Sequence, residues 1–440
     1  MIRRSFWAPG TPRLFYDVLE SELENPKEIA TPANLTFLLH DPVINGKKTL
    51  VQPKSKVARG EQIRLYETSQ DCVVCPVDAQ VHVVDSYVDH QGRKGSIVTL
   101  SGSQEDMSPV SLAVEETLEY AQNFLQKIPG GLPFDRFGRE DAPVHTIVVN
   151  CADEDLLSTT NQFIARACTD EIIQGIGIMK KITGVENIYI ALPESLASSL
   201  DFGEFQVLKI SRRYPCALPS MIMKDHLGQT VPAGMRPEDL GFCFIRPEGL
   251  VSLAKVYARK ECDFTKIVKV VGKNGESFRV RVQIGTPIAN IFNTLNIEIN
   301  EQDRVIIGGP MQGFATYTIF HPVTCDMNTV MIQAQDQIPR MEDNTCFNCG
   351  NCIRVCPAKV PTNLLIRHLQ ADLYEEAAEK FDLESCLECG LCTYVCPARI
   401  PLLQFSRLGK MELKRLRALQ AAEEEETEND QTQAQEEQVA

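Results

Sequence analysis

The sequence predicts a multidomain α+β protein. Its parts are a β-rich N-terminal module, a central α/β domain, a small second α+β module and a helical, cysteine-rich C-terminal segment. Three observations predict it. At 440 residues the chain is too long for one ordinary core and suits roughly two to four domains. Its apolar pattern changes period along the chain, from short alternating runs to long helical spacing and back. Half of its 16 cysteines fall in one late stretch with a repeated spacing.

The elements follow in order. Residues 1–30 form an irregular lead-in. Residues 31–105 hold the runs LTFLL, TLVQP, EQIRLYE, VHVVDSYV and SIVTL, broken by Gly, Pro and Asn, which is the pattern of a small all-β module. The α/β domain is expected over 106–262. It opens with a helix over 109–126, where Leu112, Val114, Leu118, Ala121 and Leu125 recur at helical spacing. HTIVVN (145–150) is a continuous apolar run, as a buried parallel strand requires. Residues 160–182 read as one helix through Ile164, Ala167, Ile172, Ile173, Ile176 and Ile178. NIYIAL (187–192) and FQVLKI (205–210) supply further strands, so the alternation predicts a parallel sheet. Over 263–325, KIVKVV, FRVRVQI and RVIIGG with a short helix at 287–295 make the second α+β module. Residues 340–410 carry the clustered cysteines, and 420–440 form an acidic tail. From 423 to 437 that tail has no positive charge and little apolar surface, so it is expected to be disordered.

Composition excludes several function classes. The net charge of −15 argues against nucleic acid, which needs a basic face. No apolar run approaches the roughly 18 to 20 residues that span a bilayer, so no direct membrane span is expected. The opening MIRRSFWAPG has no apolar run after its arginines and does not read as a secretory signal. A cytoplasmic protein, or one peripheral on the cytoplasmic face of the inner (plasma) membrane, is expected. There, cysteines serve metals more often than disulfides. The acidic surface reads first as a solvated one, with docking of a basic partner as the alternative.

Two motifs carry the chemistry. Cys346, Cys349, Cys352 and Cys356-Pro357 have the spacing CxxCxxCxxxCP, and Cys386, Cys389, Cys392 and Cys396-Pro397 repeat it. This is the bacterial ferredoxin run, in which the fourth cysteine ligates the other cluster of a two-cluster protein. One [4Fe–4S] cluster is therefore assigned to Cys346, Cys349, Cys352 and Cys396, and a second to Cys386, Cys389, Cys392 and Cys356. Gly350 and Gly390 let the backbone pass close to inorganic sulfide. Zinc sites of the common ribbon type lack the third CxxC step and the trailing proline. The helical stretch between the motifs, with Leu364, Leu365, Leu369, Leu373 and Ala377 on one face, separates them further than in a compact ferredoxin. Such clusters pass single electrons. Cys72 and Cys75 lie in the β-rich module without the helix that a redox CxxC opens, so they read as ordinary thiols. Cys151, Cys168, Cys216, Cys243, Cys262 and Cys325 are scattered and read as core. His40, His145 and His321 have no partner at ligand spacing and are given no role.

In this order the parts resemble the RnfC family of Rnf-type electron-transport complexes and, more loosely, the cobalamin reductase of metabolic microcompartments. The resemblance rests on VQPKSKVARGEQIRL with Val57, Gly60 and Gln62, on CPVDAQVHVV, on HTIVVN followed by acids, on FRVRVQIGTPI and VIIGGPMQGF, and on both ferredoxin motifs. It implies a lipoyl-like N-terminal module and a Rossmann-like α/β domain similar to the NADH-binding flavoprotein subunit of complex I. It further implies a β-grasp (SLBB-like) module and an α-helical ferredoxin domain. The implied partners are membrane subunits of an Rnf-like complex and a soluble or protein electron donor. The implied chemistry is hydride transfer from NADH to FMN, then one-electron steps through the clusters, since NADH gives electrons in pairs and a cluster takes one.

Three stretches depart from that family. Its GGxGFP loop is Pro129-Gly130-Gly131-Leu132-Pro133-Phe134 here, with fewer glycines and with prolines that donate no N–H. Its acidic run after the strand is Asn150-Cys151-Ala152-Asp153-Glu154-Asp155-Leu156 here, without the proline. After Tyr214-Pro215 come Cys216-Ala217-Leu218-Pro219, with no glycine. The expectation is an iron–sulfur relay subunit that kept its clusters and lost its flavin site. An FMN-dependent, NADH-oxidising subunit is the alternative, with Asp153 and Glu154 near the flavin. A ligand-binding or assembly protein with structural clusters is the third reading.

Overall fold

A computed structural model describes residues 12–19, 24–44, 46–69, 71–102, 109–338 and 345–439, with side chains up to residue 423. The elements, in chain order, are β1 (Lys27–Glu28), β2 (Asn34–Leu39), β3 (Lys56–Val57), β4 (Gln62–Arg64), β5 (Cys72–Val74), β6 (Ala79–Val88), β7 (Lys94–Gly102), β8 (Val110–Ser111) and α1 (Leu118–Phe124). Next come β9 (Thr146–Asn150), α2 (Thr160–Ala167), α3 (Thr169–Thr183), β10 (Asn187–Pro193), β11 (Gln206–Ile210), α4 (Pro219–His226), β12 (Phe242–Ile245), α5 (Pro247–Arg259) and β13 (Glu261–Cys262). They are followed by β14 (Thr265–Val271), β15 (Ser277–Gln283), α6 (Ile288–Leu295), β16 (Arg304–Ile307), β17 (Phe314–Thr316), β18 (Thr329–Gln333), α7 (Asn351–Val355), α8 (Thr362–Leu369), α9 (Tyr374–Phe381), α10 (Leu391–Tyr394) and α11 (Leu402–Val439). They form two compact units, one from the described residues of Arg13–Val231 and Met235–Ile338, the other mainly from those after 344.

The first unit holds three layered pieces. In the N-terminal module the sheet order is β2-β7-β6-β3, with β4 and β5 as a separate antiparallel pair. Its core is Leu35, Phe37, Ile63, Leu65, Val81, Val98 and Leu100. The expected strand TLVQP is bends and turns instead. A proline has no N–H for a ladder and Lys54 adopts φ 73°, so the segment turns rather than pairs.

The α/β domain centres on β9, every residue of which is buried. The sheet order is β11-β10-β9-β12, parallel throughout. Three of these strands were expected, and β12 (FCFI) was not, because four residues give too little periodicity. The expected helix over 160–182 is two helices, α2 and α3. They break at Cys168, whose φ −135° and ψ 39° leave the helical region. Gly175 sits where α3 meets α5. A Cβ there would lie 2.3 Å from the carbonyl oxygen of Leu250, so only glycine allows this approach. The helix expected over 109–126 begins only at α1, capped by the Thr117 side chain accepting from the Tyr120 amide. Residues 110–111 pair instead with β13.

The second sheet has the order β1-β15-β14-β18-β16-β17. It therefore exceeds the expected 263–325 at both ends. β18 lies between β14, to which it is parallel, and β16, to which it is antiparallel. β1, from the stretch read as an irregular lead-in, adds an edge strand. Residues 1–11 and 20–23 of that lead-in lie outside the described residues.

The second unit is helical, as expected. Its core comprises Val360, Leu365, Leu369, Ala377, Leu383 and Leu413 on one side and Ile366, Ala398, Ile400 and Leu402 on the other. The tail expected to be disordered from 420 continues the backbone of α11 to Val439. Glu, Gln and Ala are good helix formers and carry on a helix already nucleated by its packed first turns. No helix among the described residues is long and apolar enough to cross a membrane.

Candidate functional site

The eight motif cysteines gather around two hollows in the second unit. Cys346, Cys349, Cys352 and Cys396 line one, together with Asn363, Ile366 and Leu402. Cys356, Cys386, Cys389 and Cys392 line the other, with Leu365, Leu403 and Ser406. Each motif therefore sends its fourth cysteine across to its partner's hollow. Local backbone explains how. Asn348 and Gly350 in the first motif, and Glu388 and Gly390 in the second, have φ of 55°, 72°, 53° and 75°. Two left-handed residues so close together curl each CxxC loop around a point, and Gly350 and Gly390 are the N-caps of α7 and α10. After each fourth cysteine, Lys359 and Arg399 are again left-handed, at φ 58° and 56°. The repeat thus extends beyond the cysteines to their backbone.

The walls are apolar, and this sets the thiol chemistry. Burial, then neighbouring thiols, pushes Cys352 up to about 11 and Cys389 up to about 12; burial also raises Cys386 and Cys392. A thiol buried against apolar walls resists ionising unless a cationic group stands beside it, and a bound metal deprotonates such a thiol outright. The donor set therefore fits an iron–sulfur cluster in each hollow. The two loops differ in their charged surroundings. Glu388 accepts from Arg407 at 3.1 Å and from Lys410 at 3.0 Å, and Lys410 also donates to the Cys386 carbonyl at 2.6 Å. Burial raises the Glu388 carboxyl, but these two cations outweigh it and hold it below the usual range.

The stretches that depart from the flavoprotein pattern lie in the first unit, and their groups are engaged with the protein. The Gly130 amide donates to the Cys325 carbonyl at 2.8 Å, Gly131 to Ile128 at 2.9 Å and Leu132 to Gln126 at 3.0 Å. Pro129 and Pro133 have no amide to offer. The backbone of Gly130 packs on Gly249 of α5 rather than on open space. Gly131 faces Cys325 and Asp326, so an acid borders the position where a phosphate would come. This loop does not fit a flavin phosphate, which needs free amides or a cation.

The acidic run is also occupied. Asp153 caps α2, accepting from the Asn161 and Gln162 amides at 3.0 and 3.3 Å, from Ser158 at 2.7 Å and from the Gln162 side chain at 3.2 Å. Asp155 accepts from the Met311 and Gln312 amides and so holds the turn after β16. Glu154 borders a cavity of about 630 Å³, which Arg246, His321, Phe314, Asp326 and Asn328 also line. Burial raises the Glu154 carboxyl and Arg246 opposes it; Asp326, also buried, is held below its usual range by Arg246. His321, left without a role in the sequence, is a wall of this cavity, and burial lowers its pKa. Arg246 and Asp326 were missed as well, since they sit in loops far apart in sequence with no motif around them.

Five of the remaining thiols pack inside the first unit. Cys75 is fully buried, donates to the Val77 carbonyl and is pushed up to about 11 by burial, while Cys72 donates to the Asn123 carbonyl at 3.1 Å. Cys151, Cys243 and Cys262 belong to the core around β9. His40 pairs with Asp71, and His145 packs edge-on against Phe242.

Two family models match the chain: the Nuo51 FMN-binding domain over residues 136–256 and a 4Fe-4S dicluster domain over 338–397. The first begins beyond the Gly130-Gly131 pair. Among curated proteins, the chain is 25% identical over 251 residues to the C subunit of the proton-translocating ferredoxin:NAD(+) oxidoreductase complex of Clostridium ljungdahlii, covering 55% of each. It is 29% identical over 249 residues to the C subunit of the ion-translocating oxidoreductase complex of Rhodobacter capsulatus, covering 53% of this chain and 47% of that one. The aligned part thus spans about half the length of these relatives. Among solved structures, an NAD+-reducing [NiFe]-hydrogenase in the H2-reduced state aligns with a TM-score of 0.43 and 13% identity, over 69% of this chain and 66% of that one. The chain is a homologue of the RnfC-type subunits of ion-translocating oxidoreductase complexes, with a Nuo51-type domain followed by a 4Fe-4S dicluster domain.

Proposed function

We propose that this chain is the iron–sulfur electron-transfer subunit of an Rnf-like, membrane-associated oxidoreductase complex, relaying single electrons through two [4Fe–4S] clusters. The observation that carries it is the crossed grouping of the eight motif cysteines around two hollows. Bound there, the clusters supply reversible one-electron transfer. The chain's own part is to hold four thiolates per hollow, to exclude water with Ile366, Leu365 and Leu403, and to set the charge near the second cluster through Glu388 and Lys410. Crossed ligands tie the two sites into one rigid body, which suits conduction and is not needed for a purely structural role. The N-terminal module is read as lipoyl-like and the second sheet as β-grasp (SLBB-like). The chain is assigned to the cytoplasmic face of the membrane beside the membrane subunits, with electrons arriving from a separate donor.

A second reading, an FMN-dependent NADH-oxidising subunit, is favoured by the Nuo51 FMN-binding match over 136–256. Against it stands the glycine loop, whose amides are all engaged within the protein. One experiment separates the two. Protein purified without oxygen is assayed for iron, acid-labile sulfide and flavin, then mixed with NADH while cluster absorbance is followed. About eight irons per chain, no flavin and no bleaching support the relay. One flavin and rapid bleaching replace it with the second reading. Iron near zero after anaerobic reconstitution removes both.

A further inference from the structure

The parallel sheet of the α/β domain has the order β11-β10-β9-β12. The chain runs from β9 outward through β10 and β11, then returns to the far side of β9 for β12. In open parallel sheets a ligand binds outside the carboxyl ends of the strands, beside such a reversal. Residues 151–159 after β9 and 211–218 after β11 stand at those ends. They hold two of the three stretches that depart from the flavoprotein pattern.

The chain itself fills part of this crevice. Leu14–Leu19, which comes before β1, lies across both loops. The Tyr16 amide donates to the Arg212 carbonyl at 2.9 Å and the Asp17 amide to the Leu156 carbonyl at 2.8 Å. The Tyr214 amide donates to the Leu14 carbonyl at 3.0 Å. The Arg212 side chain donates to the Tyr16 carbonyl at 2.8 Å. Gln162 donates to the Asp17 carbonyl at 3.0 Å and accepts from the Leu19 amide at 3.2 Å.

The Tyr16 ring is turned inward and is 6% exposed. Its hydroxyl oxygen accepts from the Ala217 amide at 3.2 Å, and its ring centre stands 5.3 Å from that of Tyr214. A ring carbonyl of a bound ligand would meet the Ala217 amide in the same way. Burial pushes the Tyr16 phenol above its usual range, and the acids Glu154 and Asp155 add to this. Beside the ring is left a hollow of about 20 Å³, room for about one water. Asp153 lines both that hollow and the cavity of about 630 Å³, so the two adjoin there.

We propose that Leu14–Leu19 is a built-in occupant of the cofactor crevice. Its Tyr16 phenol sits where a planar cofactor ring would enter between the loops after β9 and β11, and it closes the domain to flavin and nicotinamide rings. This deepens the relay reading, which needs no nucleotide in this domain.

The test uses the full anaerobic protein and lumiflavin, a flavin ring without a phosphate, so that the engaged amides of the Gly130 loop do not decide the outcome. Binding is read by quenching of lumiflavin fluorescence for the native chain, Tyr16→Phe and Tyr16→Gly. The native chain and Tyr16→Phe, which keeps the ring, should not bind. Tyr16→Gly should bind about tenfold or more tighter than either, because the occupant no longer excludes the probe. No gain in Tyr16→Gly, or equal binding by all three, overturns the proposal. Tyr16→Gly also removes a buried ring and costs stability, so a second measurement uses the native chain alone. Hydrogen exchange at the Tyr16 and Asp17 amides should be slow and unchanged by excess FMN. Faster exchange there with FMN would mean a displaceable segment, and one FMN bound with those amides still protected would place the flavin elsewhere; either result overturns the closure. Dithionite reduction of the clusters in the same samples reads the relay separately, so a failure of that reading is not mistaken for a failure of this one.

Discussion

The backbone of Gly130 lies against that of Gly249 so closely that a Cβ on Gly130 would stand 2.1 Å from the Gly249 amide nitrogen. Gly130 therefore serves helix packing: it lets the turn before Leu132 seat on the first turn of α5. Gly130 also has φ 95°, a conformation that costs any other residue. Gly130→Ala should destabilise the first unit by about 3 kcal/mol, from strain and overlap together. Gly131→Ala, at φ 61° with the nearest atom 3.4 Å away, should cost about 1 kcal/mol. Guanidinium midpoints for the two variants check the order. Equal losses for the two variants would refute the packing role of Gly130.

Lys266 and Glu248 form a buried ion pair between β14 and the first turn of α5, and Lys266 also donates to the Asn328 side chain at 3.2 Å. Removing one charge strands the other. Lys266→Met should cost about 3–5 kcal/mol, and adding Glu248→Gln should recover part of it, because the glutamine oxygen can still accept from the Ile267 amide. A double variant no more stable than the single would mean the pair is not the source of the loss. Chemical denaturation of the three proteins decides it.

Asp71 links the start of β5 to the segment after α1. Burial pushes its carboxyl up, but His40 and Lys127 outweigh that and hold it at about 2. An unfolded aspartate titrates near about 3.9. The folded pKa is the lower one, so the stabilisation is complete above about 4 and is lost as pH falls from there toward 2. Asp71→Asn should cost about 2 kcal/mol at pH 7. The gap between native and variant should be flat from about pH 7 to 5 and begin to close below about 4. Unfolding curves across that range test the sign, and a gap that widened on acidification would refute it.

Crossed ligation makes a pairing prediction. Cys356→Ser should give the same electron paramagnetic resonance loss as Cys386→Ser, and Cys396→Ser the same as Cys346→Ser. In each variant iron should fall from about eight to about four per chain. If Cys356→Ser resembled Cys346→Ser instead, each motif would fill its own site and the grouping seen in the hollows would be wrong.

Much of this was legible in the sequence because it is local. The CxxCxxCxxxCP spacing names its thiols, since those of one loop must face one cluster and the proline ends the turn. TIVVN and NIYIAL announce buried parallel strands by their unbroken apolar runs. Short elements were not legible: β12 and β18 span too few residues for a period, and the break at Cys168 leaves no mark in an otherwise helical pattern. By itself, the sequence determined the eight motif cysteines, the departures from the flavoprotein loops and the order of modules. Only the tertiary structure decided what those departures do, because whether the Gly130 amide is free depends on Cys325, far along the chain. Only it gave the second of two motifs, equal in spacing, its charged neighbours, Arg407 and Lys410 of α11 on Glu388. That difference comes from which helix packs over each loop, and packing partners are set by the whole fold rather than by the residues of the loop.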